Sequence, residues 1–374
     1  MKNISPLDLI YYNWWKNIDK TIFLLIIFLF SLGLFFSLVS TSLIASDKLD
    51  TNNYFFFFKH LAYIFIGMVT LVFFSSLSES NLFRISIYLF FITLFFLFLV
   101  PIFGTEVKGS KRWLNLFFLP QFQPIELLKP FIIIFVATIL CSEKNYNIYI
   151  KYLLTIIAII PTGLLLIMQP DIGQTLLVFL SWTILVFISG INLLLILLFI
   201  SFTILALLYV VFFIPKFIYI KSRILSFFNS DGGTHNFQSD KAIEAISSGG
   251  FFGKGIGEGT LKTRVPEAHT DYIVSVISEE FGVIAIIFLL ILFLFFIYSV
   301  IKKIYLEKSE KIKLVLTGAI SLIIFQALIH LGVNIRLFPT TGMTLPFLSY
   351  GGSSIVGVSI LSGIILNLTK RKID

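Results

Sequence analysis

The feature that most constrains this chain is a series of long apolar stretches, of which the first, Ile22–Ile44, carries no charge. A helix of that length is about 35 Å long, enough to cross a hydrocarbon core of about 30 Å. The apolar core of a cleaved signal peptide is only about 7–15 residues long. We therefore predict that this stretch is an uncleaved first membrane span.

Nine further stretches predict an all-α polytopic integral membrane protein with about ten transmembrane helices. Spans one to seven occupy 21–214, a large extracytoplasmic loop 215–280, and spans eight to ten 281–369. A cytoplasmic tail, 370–374, completes a single membrane domain of residues 1–374. The predicted spans are Ile22–Ile44, Tyr54–Phe74, Ile85–Phe103, Ile125–Leu140, Tyr152–Met168, Ile172–Ile188, Leu193–Ile214, Phe281–Ile301, Leu314–Val333 and Ser354–Leu368.

The composition excludes an ordinary soluble protein, because 57% of residues are hydrophobic and only 13% are charged. The net charge of +8 would suggest nucleic acid in a soluble domain. In a membrane protein it is better explained by lysines and arginines in cytoplasmic loops. Cys141 is the single cysteine, so the chain forms no internal disulfide and no paired-cysteine metal site.

Loop charge predicts the orientation. Basic residues cluster at both termini and after the eighth span, and ten spans place all three clusters on one side, the cytoplasm. The clusters are Lys2, Lys16 and Lys20; Lys302, Lys303, Lys308, Lys311 and Lys313; and Lys370, Arg371 and Lys372. On the opposite side, 215–280 lacks hydrophobic periodicity, so we expect an elaborated loop and no soluble domain.

Six glycines fall within Gly249–Gly259, which reads GGFFGKGIGEG. A phosphate loop does not fit, since Ser248 stands at its first glycine position and Gly255 at its Ser/Thr position. The dinucleotide fingerprint fails as well. We favour a tightly turning loop whose backbone passes close to another segment over a direct phosphate cradle.

Thr270 and Asp271 directly precede apolar residues with helical spacing, namely Ile273, Val274, Ile277 and Phe281. They therefore lie where a helix enters the membrane from outside. One interpretation is an N-cap that accepts hydrogen bonds from the first turn. The other is a carboxylate at the mouth of a cavity, where partial desolvation suits it to act as a general base.

Three more ionisable residues lie at membrane depth or at its rim. Glu126 and Lys129 are three residues apart, so they can pair on one helix face, as a packing salt bridge or in contact with a substrate. Asp171 lies in a Pro/Gly-interrupted junction typical of backbone that lines a cavity. Ionisable residues in spans usually face a protein interior or a water-filled cavity.

Two outer segments carry further candidates. Lys108, Lys111, Arg112 and Trp113 form either an interfacial anchor or an anion site for a lipid phosphate or pyrophosphate. The stretch 338–354 is rich in Pro, Gly, Thr and Ser. It predicts a fixed, non-helical segment that is shielded from lipid by protein.

These segments together resemble the SEDS family (shape, elongation, division and sporulation). The matching strings run in family order from Lys108 to Ser354: KGSKRWL, QPIELLK, QPDIGQ, PEAHTDYI, EEFG and PTTGMTLPFLSYGGSS. Each string alone is weak, and jointly they are specific. The GMTLP and glycine-rich segments are more similar to division-type than to elongation-type members, in which a second proline usually replaces Thr344.

The resemblance implies ten spans with both termini in the cytoplasm, at the bacterial inner membrane and the division septum. It also implies a peptidoglycan glycosyltransferase that polymerises lipid II. Asp271 matches the family's essential aspartate, Trp113 an essential tryptophan, and Glu126 with Lys129 an important ion pair. The predicted substrate-binding residues are Lys111, Arg112, Trp113, Glu126, Lys129, Asp171 and His269.

The implied partners are a class B penicillin-binding protein, which supplies crosslinking, and other divisome proteins. A divalent cation, Mg²⁺ or Mn²⁺, is a possible aid to the leaving pyrophosphate, and no organic cofactor is implied. Three other functions stay open, the first of which is an elongation-type polymerase of the same substrate. A lipid II flippase would also need half-buried charges but no carboxylate at the outer helix mouth, and a non-catalytic scaffold would tolerate changes in the pocket.

Overall fold

The computed structural model describes residues 14–41, 54–107, 110–116, 120–143, 146–228, 233–259 and 268–371. Several residues used above lie outside these ranges, namely Lys2, Lys108, Pro266, Glu267 and Lys372. The predicted loop 215–280 and the tail 370–374 are therefore covered only in part.

The chain is mainly helical, as expected from its apolar stretches. The helices are α1 (Lys20–Thr41), α2 (Phe55–Ser76), α3 (Glu79–Phe103), α4 (Pro124–Leu140), α5 (Ile148–Met168), α6 (Ile172–Ile188), α7 (Leu193–Phe213), α8 (Ile218–Phe228), α9 (Gly233–Gly249), α10 (Ile273–Leu306), α11 (Glu310–Asn334) and α12 (Gly352–Leu368). Pro215–Phe217 forms a 3-10 turn before α8. A short antiparallel hairpin, β1 (Thr105–Val107) with β2 (Ser110–Trp113), follows α3.

Each predicted span overlaps one of these helices. Within the part of the chain that the structure describes, seven helices are long and apolar enough to cross a membrane, and α6 and α12 are shorter apolar helices of 17 residues each. Helix α4 also has 17 residues, which is about 25 Å of helix. The chain is thus an integral membrane protein, and the number of ten crossings stays a prediction.

The centre of the bundle is made by α4, α11 and α12, most of whose residues are buried. Helix α12 packs closely against α2 because glycines remove side chains at the contact. A Cβ at Gly67 would lie 2.5 Å from Ser359 Oγ, and one at Gly363 would lie 2.7 Å from the Leu71 carbonyl oxygen. By contrast α7 is covered little by protein, with only Ile196 and Val211 buried, so its surface faces lipid.

The segment between α7 and α10 corrects the expectation of a loop without helical periodicity. It contains α8 and α9, and α9 packs on α10 through small buried residues, Ala242 and Ala245. Small alanines contribute little to a hydrophobic period, although they suffice for close helix packing. The large loop is therefore partly helical.

Helix α10 begins at Ile273, eight residues before the predicted span, and it is interrupted at Gly282 (φ 76°, ψ −177°). The glycine-rich loop fills this interruption. The amides of Lys254 and Gly255 donate to the carbonyls of Glu279 and Glu280, and a Cβ at Gly249 would lie 1.9 Å from the Ser278 carbonyl oxygen. The prediction of a loop whose backbone passes close to another segment is confirmed.

The predicted cytoplasmic elements meet at one end of the bundle. Lys303 at the end of α10 pairs with Asp19 before α1, with 2.7 Å between Nζ and Oδ2. The Arg371 amide donates to the Asn17 carbonyl at 2.9 Å. Both described chain ends therefore share one face with the loop after α10, as the charge pattern predicted.

Candidate functional site

The site is organised by a polar stripe on α11 made of Gln326, His330 and Asn334, which are spaced four residues apart and so lie on one helix face. Gln326 Nε2 donates to the Thr344 carbonyl at 3.0 Å, and His330 Nδ1 donates to the Met343 carbonyl at 2.7 Å. All three residues of the stripe are buried. The stripe therefore fixes the non-helical segment before α12, as predicted for a segment shielded by protein.

Asn334 connects the same stripe to Asp271. Its Nδ2 donates to the Asp271 carbonyl oxygen at 3.0 Å, and its Oδ1 accepts from the Ser275 amide at 3.3 Å. Helix α10 has Tyr272 as its N-cap, without a side-chain capping bond. The interpretation of Thr270 or Asp271 as the N-cap is wrong, because the amide of the first turn is satisfied by a side chain from another helix.

The residues before Asp271 are also held by backbone contacts. Ser349 Oγ donates to the Thr270 carbonyl at 2.7 Å, and the Tyr350 amide donates to the His269 carbonyl at 3.0 Å. The His269 ring packs between Phe56 and Tyr350, with centroid distances of 5.3 and 5.6 Å. The segment that carries Asp271 is thus fixed at each residue from His269 onward.

The Asp271 carboxylate is half-buried and lies against Gly342, where a Cβ would be 3.4 Å from Oδ2. Gly342 has a φ of 69°, a backbone conformation that glycine adopts without strain. Burial raises the pKa of the neighbouring Tyr272 phenol, the Asp271 charge raises it further, and the Arg223 charge lowers it.

Glu126 and Lys129 form the predicted ion pair. Lys129 Nζ lies 2.9 Å from Glu126 Oε2, and the side chains are 2% and 5% exposed. Lys129 also donates to Gln326 Oε1 at 3.1 Å, and Gln174 Nε2 donates to Glu126 Oε1 at 2.6 Å. Through Gln326 the pair reaches Thr344, on the segment that contacts Asp271. Substrate contact at this pair stays a prediction.

Asp171 caps α6 and also meets the first outer hairpin. Its Oδ1 accepts from the Gln174 amide at 3.3 Å, while Oδ2 lies 3.6 Å from Arg112 Nε and accepts from Gln123 Nε2 at 3.3 Å. Arg112 also donates to the Pro170 carbonyl at 2.6 Å. This arrangement joins the hairpin to the α5–α6 junction, which is consistent with backbone that lines a cavity.

A cavity of about 480 Å³ opens at this junction. Arg112, Asp171 and Arg223 contribute its charged groups, and apolar side chains of α6, α8 and α11 form the remaining walls. Of the eight predicted site residues, the cavity lining includes only Arg112 and Asp171. The others do not line it: Lys111, Trp113, Glu126, Lys129, His269 and Asp271.

Four residues of the site were not predicted, namely Arg223, Gln326, His330 and Asn334. The three residues of α11 had a usable signal, since polar residues every fourth position inside an apolar helix indicate a buried polar face. Arg223 had a weaker one, because Ile220 and Ile224 flank it at helical spacing in a segment taken for a loop. Neither signal predicts which distant residues these side chains contact.

Comparison with known proteins agrees with this architecture. The sequence profile described as Cell cycle protein, FTSW_RODA_SPOVE, matches residues 19–373. A protein of Caulobacter vibrioides, named "Probable peptidoglycan glycosyltransferase FtsW", is 32% identical over 365 residues, covering 96% of this chain and 91% of its own.

Two solved structures share the fold over almost the whole chain. One is a chain of a peptidoglycan synthase complex that coordinates polymerization and crosslinking, with a TM-score of 0.74 at 25% identity, covering 94% of this chain and 97% of its own. The other is the rod shape determining protein RodA of Thermus thermophilus, with a TM-score of 0.68 at 25% identity, covering 95% and 97%. The chain therefore belongs to the FtsW, RodA and SpoVE family of cell cycle proteins, which is the SEDS family that its motifs resemble.

Proposed function

We propose that this chain is a peptidoglycan glycosyltransferase that polymerises lipid II, with Asp271 as its general base. The observation that carries the proposal is the half-buried Asp271 carboxylate, held through Asn334 and Gly342 beside a cavity large enough for part of a lipid-linked sugar. The names of the relatives support the reaction class.

The chemistry requires a base at this position. A sugar hydroxyl of the acceptor attacks the anomeric carbon of the donor, a new C–O bond forms, and the bond to the diphosphate breaks. The hydroxyl proton passes to Asp271, a transfer worth about 10²–10⁴ in rate. Its fixed backbone keeps the carboxylate ready for this transfer without reorganisation.

The other predicted residues act around that step. The buried pair of Glu126 and Lys129 supports the Asp271 segment through Gln326 and Thr344. Arg112 and Asp171 lie on the cavity wall, where they meet the substrate. Lys111, Trp113 and His269 border the outer face, where they bind the sugar and peptide portion.

A divalent cation is proposed only as an ion that the phosphates of the substrate bind. Among the described residues, no group of three His, Cys, Asp or Glu side chains lies together to hold a metal ion. Magnesium is often held by one or two carboxylates together with substrate phosphates, and Mn²⁺ accepts similar oxygen ligands. No step above depends on such an ion.

The proposal also covers the cellular setting. A class B penicillin-binding protein would supply crosslinking, in keeping with the synthase complex that has a similar chain. The division-type names of the sequence relatives favour the septum and a divisome partner over cell elongation. The protein would lie in the bacterial inner membrane with both termini in the cytoplasm.

The test compares Asp271→Asn with Asp240→Asn in purified full-length protein, supplied with lipid II and a partner transpeptidase. Asp240 is a surface carboxylate of α9, paired with Arg336, and serves as the matched control. We expect Asp271→Asn to lose at least about 100-fold in polymerisation rate and Asp240→Asn to stay within twofold. A folded Asp271→Asn protein with normal polymerisation would remove the assignment.

The same proteins separate this function from a flippase. Reconstituted into vesicles, they can be assayed for movement of labelled lipid II across the bilayer without polymerisation. The flippase would be favoured if wild-type protein made no glycan and the Asp271→Asn variant still translocated labelled lipid II. A scaffold would show neither activity in any variant.

A further inference from the structure

The cavity at the α5–α6 junction is amphipathic. Its charged residues are Arg112, Asp171 and Arg223, two cations and one carboxylate, which leave a net charge of +1. Its apolar walls carry side chains one helical turn apart on three helices: Leu176 and Leu180, Ile220 and Ile224, and Phe325, Leu328 and Ile329. Such a shape fits a ligand with a compact anionic head and a hydrocarbon chain.

Arg223 is the cation placed toward the reaction centre. Its Nη1 donates to the Thr340 carbonyl at 3.2 Å, and Gly342, two residues further, contacts the Asp271 carboxylate. Two residues of chain span at most about 7 Å. Arg223 and Asp271 thus lie beside neighbouring residues of one segment. Arg112 lies on the other side of the charged set, with its Nε 3.6 Å from Asp171 Oδ2.

We propose that Arg223, together with Arg112, binds the diphosphate of the prenyl-linked saccharide donor, and that the apolar walls hold the first isoprene units. This subsite rests on the proposed glycosyl transfer and names the group that receives the leaving charge. Guanidinium groups bind phosphate oxygens through paired N–H donors, which lysine does not reproduce.

The two charged centres divide the reaction between them. As the acceptor oxygen bonds to the anomeric carbon, Asp271 takes the hydroxyl proton. The electron pair of the breaking C–O bond passes to the diphosphate, whose added negative charge Arg223 and Arg112 stabilise. The Arg223 contribution therefore grows toward the transition state, which predicts a loss in kcat as well as in affinity.

The experiment uses two readouts on the full-length protein. One is lipid II polymerisation, and the other is direct binding of farnesyl diphosphate, compared with farnesyl monophosphate and farnesol. The variants are Arg223→Gln and Arg223→Lys, with Lys221→Gln as the control on the same helix, since Lys221 bonds the Phe212 carbonyl and is absent from the cavity lining. Ile224→Trp, which narrows the cavity, provides an independent variant.

We expect Arg223→Gln to lower kcat/KM at least 100-fold, with a fall in kcat, and to abolish the preference for diphosphate over monophosphate. Arg223→Lys should recover only part of the kcat/KM and of the diphosphate preference. Ile224→Trp should weaken the binding of all three prenyl ligands, and Lys221→Gln should match wild type in both readouts. Diphosphate preference that is unchanged in a folded Arg223→Gln protein overturns the subsite. Prenyl diphosphate binding without any polymerisation by wild type would instead keep the subsite and refute the proposed function.

Discussion

At the scale of single residues, the pair of Glu126 and Lys129 is the most buried ion pair among the residues that the structure describes. A buried pair is stable only while both charges and their remaining hydrogen bonds are satisfied. Here Gln174 donates to Glu126 Oε1 and Lys129 donates to Gln326, while Glu126 Oε2 has only its ion pair with Lys129. Removing one partner leaves an uncompensated charge in a medium that cannot solvate it, whereas removing both does not.

Lys129→Met should therefore destabilise the protein by roughly 3–5 kcal/mol, measured by unfolding in mixed micelles. The double change Lys129→Met with Glu126→Gln should recover much of that loss. Lys313→Met is the matched control, because Lys313 and Glu310 form an exposed pair of the same spacing, and we expect a change below about 1 kcal/mol. Equal losses at Lys129 and Lys313 would contradict this account.

At the scale of elements, the break in α10 and the glycine-rich loop form one unit. Gly282 leaves the helical conformation, which frees the carbonyls of Glu279 and Glu280 for the amides of the loop. A side chain at Gly249 or Gly253 would meet the backbone of α10, whereas Gly250 and Gly257 have a positive φ and open space around them. The glycines therefore serve close approach at some positions and tight turning at others. The same unit buries Glu279 beside Lys254, with 3.1 Å between Oε1 and Nζ.

Gly249→Ala tests this contact, since its Cβ would lie 1.9 Å from the Ser278 carbonyl oxygen. We expect faster hydrogen exchange at the amides of Lys254 and Gly255. Gly163→Ala on α5 is the control, because its Cβ would meet nothing within 4 Å and alanine favours a helix by about 0.5–1 kcal/mol. Unchanged protection in the Gly249 variant would show that the loop does not depend on close approach.

At the scale of the whole molecule, the single cysteine reports the topology. Cys141 ends α4 at the face shared with Lys311 and Lys151, which the charge pattern assigns to the cytoplasm. Burial raises the pKa of its thiol, the Glu310 charge raises it further, and the two lysines oppose this. The thiolate is the reactive form, so labelling should accelerate as the pH rises above neutral.

A membrane-impermeant maleimide should therefore label Cys141 only after cells are permeabilised, and faster at higher pH. In a Cys141→Ser background, Phe252→Cys on the glycine-rich loop should react in intact cells, and Tyr305→Cys at the end of α10 only after permeabilisation. Both positions are well exposed, at 80% and 87%. Labelling of Tyr305→Cys from outside would invert the predicted orientation.

Long apolar helices could be predicted from the sequence better than helix ends or helices with small buried residues. The hydrophobic runs correctly predicted ten of the described helices, because a segment that spans the membrane must bond its own backbone and be apolar along its length. The helix ends were less predictable, since α10 gains its first turns from protein contacts such as Asn334. Helix α9 was not predicted, because its buried face is made of small residues that give a weak hydrophobic signal.

By itself the sequence determined the helical membrane class and the spacing that lets Glu126 pair with Lys129. These follow from hydropathy and from spacing within one element, which are local properties of the chain. Only the tertiary structure decided that Asn334 fixes Asp271 and that Arg223 joins Arg112 in one cavity. The residues of these pairs are 63 and 111 positions apart in the sequence, and only the packing of distant elements brings them together.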